Sequence, residues 1–302
     1  MIETVHLVGV LLSLGAAFAG ASQNLFIRIG TDEGNAYDAV LVVMLLNVVL
    51  LLPPVLVIYY PDYGLTRQSW ISFIAAGVLG TLLGRMCTYS SIDRIGASRT
   101  APIVASWALI SSVLGVIVLG ETLTPLHGFG IVLIVAGVAV IAWETSQENP
   151  DDLPRRELLI GLLIPVLGAF AFGVEPIFAN VGFAEGTPAP VGLVVKTIFA
   201  TGGFALYLRW RNALPDRATL LSRNSRWFFL AGIASTCFLL GYYVGLSLAP
   251  VNVVVPIIVT NTLFVVVLSA LFMPQRLERV TARLLAAAAV VVVGVLVITL
   301  SG

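Results

Sequence analysis

Charge is scarce in this chain: Asp, Glu, Lys and Arg make up 11% of 302 residues, sixteen of each sign, and the formal net charge is zero. Soluble globular proteins carry about 25% charged residues, so water is not the main solvent of this one. The two cysteines, Cys87 and Cys237, lie inside apolar runs with no CxxC or Cys/His cluster beside them. That argues against a disulfide or a metal site and favours reading them as small core residues. The two histidines, His6 and His127, fall near span ends without a Ser or Cys partner, and packed or interfacial roles suit them better than catalysis. No GxxxxGK[ST] run is present, which argues against ATP-driven pumping by this chain alone. Neither a catalytic residue, a cofactor nor a nucleic-acid partner is expected.

What is abundant is apolar: 59% of the residues are hydrophobic. A bilayer core about 30 Å thick takes roughly 20 helical residues to cross. Cutting the chain where charge, Pro or Gly interrupts runs of that length predicts ten spans, at about 5–27, 37–60, 70–92, 98–119, 125–143, 158–180, 190–210, 226–247, 250–272 and 280–300. The first run opens on Glu3 and His6 in place of a basic n-region, so it reads as a span and not as a cleaved signal. Most connections are short turns, such as Thr31-Asp-Glu-Gly34 and Pro61-Asp-Tyr-Gly64. The stretch from Glu144 to Glu157, with Glu148, Asp151, Asp152, Pro150 and Pro154, reads as a charged linker.

The apolar runs repeat. Ser98, Pro102 and Ser106 return as Asn252, Pro256 and Thr260 at an offset of 154, while Glu121, Thr124 and Gly137 return as Glu278, Thr281 and Gly294 at 157. A small insertion, Met273-Pro274-Gln275-Arg276, accounts for the change of offset. Gly15-Ala-Ala-Phe-Ala-Gly20 likewise faces Gly168-Ala-Phe-Ala-Phe-Gly173, and Asp32-Glu-Gly34 faces Ala184-Glu-Gly186. The linker at 144–157 thus divides two five-span repeats, 1–143 and 158–302. Because five is odd, the second must cross in the opposite sense, giving an all-α polytopic membrane protein of ten transmembrane helices in two inverted five-helix repeats.

Basic residues set the expected orientation. Arg28, Arg94, Arg99, Arg155, Arg156, Arg209, Arg211, Arg217, Arg223, Arg226, Arg276, Arg279 and Arg283 share one face by connection, and Arg67 and Lys196 lie nearer the other. The positive-inside rule then puts the Arg-rich connections in the cytoplasm and both termini outside.

Polar side chains inside apolar spans are costly unless they meet a cavity or a partner helix, so they are the residues to read for function. Ser106-Trp107 and Thr260-Asn261 are matched mid-span pairs, facing either one another or a shared pocket, or making interhelical hydrogen bonds. Arg85 lies about 12 Å below the charged end of its span. It either snorkels or attracts an anionic substrate group, and Tyr89 four residues on shares its face. Glu175 and Lys196 stand at matching depths on consecutive spans, as a structural ion pair or as a gating and coupling pair. Gln23 and Asn24 occupy the corresponding end of span one, and Pro176 is expected to break span six. Tyr242 and Tyr243 answer Tyr89 in the repeat, as cavity lining or as interfacial aromatics. Trp70, Trp143, Trp210 and Trp227 are read as interfacial anchors, and Glu121 and Glu278 as turn and capping residues.

With the tandem Pro102-to-Glu121-to-Gly137 and Pro256-to-Glu278-to-Gly294 patterns and the Gly-Ala-Phe openings of spans one and six, the chain resembles the drug/metabolite transporter superfamily, specifically its ten-span EamA-type members, over nearly its whole length. The resemblance implies an exporter or exchanger of a small metabolite in the cell membrane. It also implies cytoplasmic termini, the reverse of the charge pattern. The sequence reading is therefore a multi-pass carrier working by alternating access without ATP, with its cavity between the repeats and the bilayer and a small metabolite as partners. It admits a homodimer. The competing classes are a membrane-embedded enzyme, which should cluster His, Asp or Ser at one depth, and a non-transporting scaffold, which has no use for matched mid-span polar pairs.

Overall fold

The computed structural model describes residues 2–30, 36–95, 100, 103–145, 155–214, 225–272 and 282–301. The described chain is helical throughout: α1 (Ile2–Gly30), α2 (Ala36–Ile58), α3 (Arg67–Ala75), a π-helical segment (Ala76–Leu83), α4 (Gly84–Ile95), α5 (Trp107–Leu119), α6 (Pro125–Thr145), α7 (Arg155–Ala184), α8 (Ala189–Trp210), α9 (Ser225–Leu248), α10 (Val251–Val259), α11 (Asn261–Phe272) and α12 (Ala282–Ser301). Helices long and apolar enough to cross a bilayer cover His6–Gly30, Ala39–Ile58, Arg67–Ile92, Ile160–Ala184, Ala189–Trp210, Arg226–Leu248 and Val251–Leu268. Shorter apolar helices lie at Ile103–Leu119, Pro125–Ile141 and Ala286–Ile298. Helices suit this composition because lipid offers no partner for backbone N–H and C=O groups, which a helix satisfies internally. Hydroxyls inside the spans do the same: Ser13 Oγ donates to the Gly9 carbonyl (2.7 Å) and Thr197 Oγ1 to that of Leu193 (2.7 Å).

Local signals set several helix ends. Thr66 and Ser69 form a reciprocal capping box that starts α3, and Gly120, at φ 70°, ends α5 in the left-handed conformation open to glycine. Pro176 does not break its helix, contrary to the expectation from sequence, since α7 continues through both Pro165 and Pro176 to Ala184. One missing N–H costs a single bond of the ladder, and a long helix packed on its neighbours carries on past it.

The chain packs as two units, each drawing on both sequence repeats. One comprises Met1–Val78 and Phe178–Leu248. In it α1 lies along α9, α2 against α8 and α9, and α3 against α8. Small residues permit these crossings: a Cβ on Gly241 would lie 3.0 Å from Ala16 Cβ, and one on Gly232 only 2.6 Å from Leu46. The ring of Phe73, fully buried, fills the space left by Gly182 and Gly192. Asn47 of α2 ties in α9 by donating to Ser235 Oγ (3.0 Å) and accepting from Thr236 Oγ1 (3.0 Å).

The other unit comprises Leu79–Ile177 and Ala249–Gly302. Its main pairings are α6 with α12 and α5 with α10. At the first crossing Gly130 and Gly294 face each other so closely that a Cβ on either would lie within about 3.0 Å of the other's carbonyl oxygen. Gly137 presses on Val291 and the Ala287 carbonyl in the same seam. Both Gly137 and Gly294 are repeat-matched residues, and here they serve one helix contact. The large side chains left exposed, such as Val57, Ile117, Leu163 and Leu271, are apolar, as a surface facing lipid tails requires.

Candidate functional site

Arg85 opens α4 directly after the π-helical segment and is half-buried. Its Nε is buried with no hydrogen-bond partner among the described residues, and so is Oγ1 of Thr81, one turn earlier and only 9% exposed. Two orphaned polar atoms on one face, beside a rare helical form that is frequent among functional sites, single this stretch out. The same stretch seats on α7. A Cβ on Gly80 would lie 2.5 Å from Glu175 Cβ, and one on Gly84 2.8 Å from the Phe172 ring, so the buried Glu175 side chain runs flush along Gly80. Tyr89 is half-buried on the next turn.

The matched mid-span pairs mark where two spans tighten for a single turn while the backbone stays helical. Ser106 (φ −66°, ψ −7°) precedes α5, and Thr260 (φ −64°, ψ −6°) separates α10 from α11. At the first, the Ile103 carbonyl accepts from both the Ser106 N–H (3.1 Å) and its hydroxyl (2.6 Å). At the second, the Ile257 carbonyl accepts from both the Thr260 N–H (3.1 Å) and its hydroxyl (2.6 Å). Each bond reaches back three residues and not four, so both spans tighten and lose the α ladder at the same point. Pro256 lies four residues before Thr260 and has already removed one N–H from that ladder. Its counterpart Pro102 lies outside the described residues. Trp107 and Asn261 are the first residues of α5 and α11, both half-buried. The Trp107 carbonyl approaches the position of a Cβ on Gly173 to 3.2 Å, which brings α5 and α7 together as well.

In the first unit, Lys196 is 3% exposed on α8, with Nζ 4.7 Å from the centroid of the Tyr243 ring. That ring, itself fully buried, also meets Phe183 and Tyr242 edge-on at 5.8 and 5.7 Å, while Tyr242 stacks on Phe238 at 6.0 Å. A buried ammonium over an aromatic face gains a cation–π attraction of about 2 kcal/mol when desolvated. Tyr243 is thus a packed residue beneath Lys196 as the chain stands. Gln23 is buried and Asn24 exposed on α1.

Glu121 takes the capping role read from the sequence. Its Oε1 accepts from the Val251 N–H (2.6 Å) and its Oε2 from the Asn252 N–H (3.0 Å), closing the first turn of α10, and Asn252 Nδ2 donates to the Thr122 carbonyl (3.0 Å). Burial pushes its carboxyl above the ordinary range, against the two backbone N–H groups, which pull it down. Glu278, the repeat partner, lies outside the described residues, as do Ser98 and most of the linker between α6 and α7. His127 is buried, and its N–H donates to Thr124 Oγ1 (3.2 Å).

Comparison with known proteins fits this geometry. The model of the EamA-like transporter family matches residues 7–143. Residues 7–143 are similar to that family. A protein of Lactiplantibacillus plantarum named for ribose uptake, RbsU, is 23% identical over 180 residues, covering 58% of this chain and 55% of its own length. The glucose uptake protein GlcU of Bacillus subtilis is 27% identical over 176 residues, covering 55% of this chain and 61% of its own. The chain therefore spans little more than half the length of these curated relatives. One crystal structure superposes with a TM-score of 0.76 over 97% of this chain and 96% of its own, at 16% identity, which establishes a shared fold. The apolar helices make this a multi-pass membrane protein, and the family matched over residues 7–143 is one of transporters.

Not all of the site was visible beforehand. Thr81 and Asn47 drew no attention in the sequence, since a lone Thr or Asn in an apolar run is compatible with routine packing. The repeat register was the signal that could have found them.

Proposed function

We propose that the chain is a secondary transporter that moves a small neutral polyhydroxyl metabolite, of the sugar class, by alternating access without ATP. The observation that carries this reading is the pair of matched mid-span irregularities at Ser106 and Thr260, where each span tightens from the α to the three-residue pattern for one turn. Irregular backbone at membrane depth is tolerated where it lines a polar cavity or is buried in protein, and discontinuous spans in matched positions are how repeat-built carriers make a substrate site. A scaffold gains nothing from two such irregularities. The sugar class comes from the relatives' names, and the chain's half-length overlap with them makes it a proposal. An ATP-independent carrier runs down whichever gradient exists, so the uptake named for those relatives and the export or exchange expected from the sequence describe one machine.

Ten spans in two inverted repeats fit the same reading. Within the units, exchanging each span for its repeat mate turns span two against span eight into span seven against span three, and maps the pairs two–seven, four–nine and five–ten onto themselves. On this reading Arg85, Trp107 and Asn261 supply substrate contacts, and Glu175 and Lys196 change partners as the carrier switches state. Proteoliposomes holding the full chain should take up radiolabelled ribose or glucose saturably, with counterflow and no ATP, and more strongly than an anionic sugar acid. Transport of the acid alone would return the substrate to the anionic class, and no uptake or counterflow of any of these would remove the carrier reading.

Orientation is proposed from charge: Arg-rich connections in the cytoplasm, termini outside. In a chain with Cys87 and Cys237 replaced by alanine, a cysteine introduced between Arg211 and Arg223 should be shielded from an impermeant thiol reagent in intact cells, while Ser301→Cys should react. The opposite pattern would place the termini inside.

A further inference from the structure

The sequence repeat offers an internal control for the Thr81 and Arg85 face. In their later turns, spans three and eight correspond at an offset of 154, Cys87 with Gly241 and Tyr89 with Tyr243. Packing agrees: Cys87 abuts Gly168 and Gly241 abuts Ala16, and these belong to the matched Gly-Ala-Phe stretches of spans six and one. In the earlier turns, Phe73 fills the space beside Gly182 and Phe228 that beside Gly30, and these two phenylalanines are 155 apart. Span three therefore holds one residue more than span eight between these contacts. That residue falls in the π-helical segment Ala76–Leu83, whose wider i→i+5 turn absorbs an insertion, whereas α9 stays α-helical over Ser225–Leu248.

At either offset, Thr81 corresponds to Ser235 or Thr236, and Arg85 to Leu239 or Leu240. Ser235 and Thr236 are both held by the Asn47 side-chain amide, which donates to one and accepts from the other. On span seven, the Thr201 hydroxyl donates to the Met44 carbonyl (3.4 Å). Thr81, 9% exposed, has no such amide, and its Oγ1 is unpartnered among the described residues, as is the Arg85 Nε. The first copy thus has a hydroxyl without the amide that satisfies its mate, and a guanidinium where its mate has leucine.

We infer that Thr81 and Arg85 form a binding subsite for hydroxyl groups of a neutral polyol, the ligand taking the role that the Asn47 amide plays in the second copy. An amide and a vicinal pair of hydroxyls share the property that matters, a donor and an acceptor side by side, and the Arg85 N–H adds a second donor one turn on. A carboxylate only accepts and matches a lone threonine hydroxyl less fully. This subsite rests on the sugar-carrier reading above and adds to it the residue that reads the hydroxyls.

The test uses Thr81→Val, which swaps hydroxyl for methyl at constant shape, with Thr81→Ser as rescue and Thr236→Val as control. Sugar half-saturation in proteoliposomes and the thermal midpoint in detergent are measured for each. Removing an orphaned hydroxyl should leave the midpoint of Thr81→Val at or above the parental one. Its half-saturation should rise about tenfold, the equivalent of one good hydrogen bond, and Thr81→Ser should restore it to within about twofold. Thr236→Val should do the reverse, lowering the midpoint while half-saturation stays put. A Thr81→Val protein with parental half-saturation, or one that loses stability as Thr236→Val does, overturns the subsite while leaving the carrier reading intact. A parent chain that moves no sugar overturns both.

Discussion

Replacing Glu121 by alanine is expected to lower the thermal midpoint of the detergent-solubilised protein by roughly 6–12 °C. The carboxylate accepts two backbone N–H bonds at the start of α10, and a hydrogen bond to a charged group contributes about 1.5–3 kcal/mol. Allowing for the relief of a partly buried charge, the loss should be about 3 kcal/mol, at roughly 2–4 °C per kcal/mol for a chain of this size or a little smaller. Glu121→Gln should cost about half as much, because one oxygen still accepts from the Val251 N–H while the new NH₂ meets the Asn252 donor. The pH dependence has a definite sign. Burial raises the Glu121 carboxyl above its ordinary 4.5, so the folded chain binds that proton more tightly than the unfolded one. The associated stability is fully present below the unfolded value and is lost as pH rises through the folded one. The midpoint gap between parent and Glu121→Gln should therefore widen on acidification from neutral pH towards 4.5. A gap that narrows would mean that the two N–H bonds outweigh burial.

How much of this was legible in the sequence differs by level. Apolar length located Arg67–Ile92, Ala189–Trp210 and Arg226–Leu248 to within a few residues, because the bilayer imposes one length on every span. The same signal cannot tell a π turn from an α turn, so Ala76–Leu83 passed as ordinary helix; the extra residue shows only when span three is laid against span eight. Ser106 and Thr260 stood out as polar and repeat-matched, but a polar residue that bonds back to its own helix and one that tightens it look alike on paper. The difference lies in the backbone, where the N–H of each residue reaches the third carbonyl back. Pro176 misled in the other direction, since α7 absorbs it. Nor does the linear order of two repeats reveal that each packed unit is assembled from both, because α7 and the π-helical segment each pass from one unit to the other.

Arg85→Ala should lower transport efficiency about tenfold or more while leaving expression and membrane insertion near normal. The guanidinium keeps a buried Nε without a partner among the described residues, and an unsatisfied buried donor costs about 1–3 kcal/mol. A ligand that completes the bond offsets this cost. A charge-assisted hydrogen bond to that ligand, at about 1.5–3 kcal/mol, corresponds to tenfold or more in binding at 1.4 kcal/mol per decade. Arg85→Lys should fall between parent and alanine, since lysine keeps the charge but not the planar fork of donors. Insertion should not suffer from the alanine, because removing a charge from mid-span lowers the insertion cost by about 2.5–3.5 kcal/mol. The decisive measurement is initial transport rate against substrate concentration in proteoliposomes matched for protein content. If Arg85→Ala and Arg85→Lys both keep the parental rate and half-saturation, Arg85 is a snorkelling anchor whose head reaches the polar interface. Substrate recognition would then have to come from the irregular turns at Ser106 and Thr260, where Asn261→Ala becomes the next variant to measure.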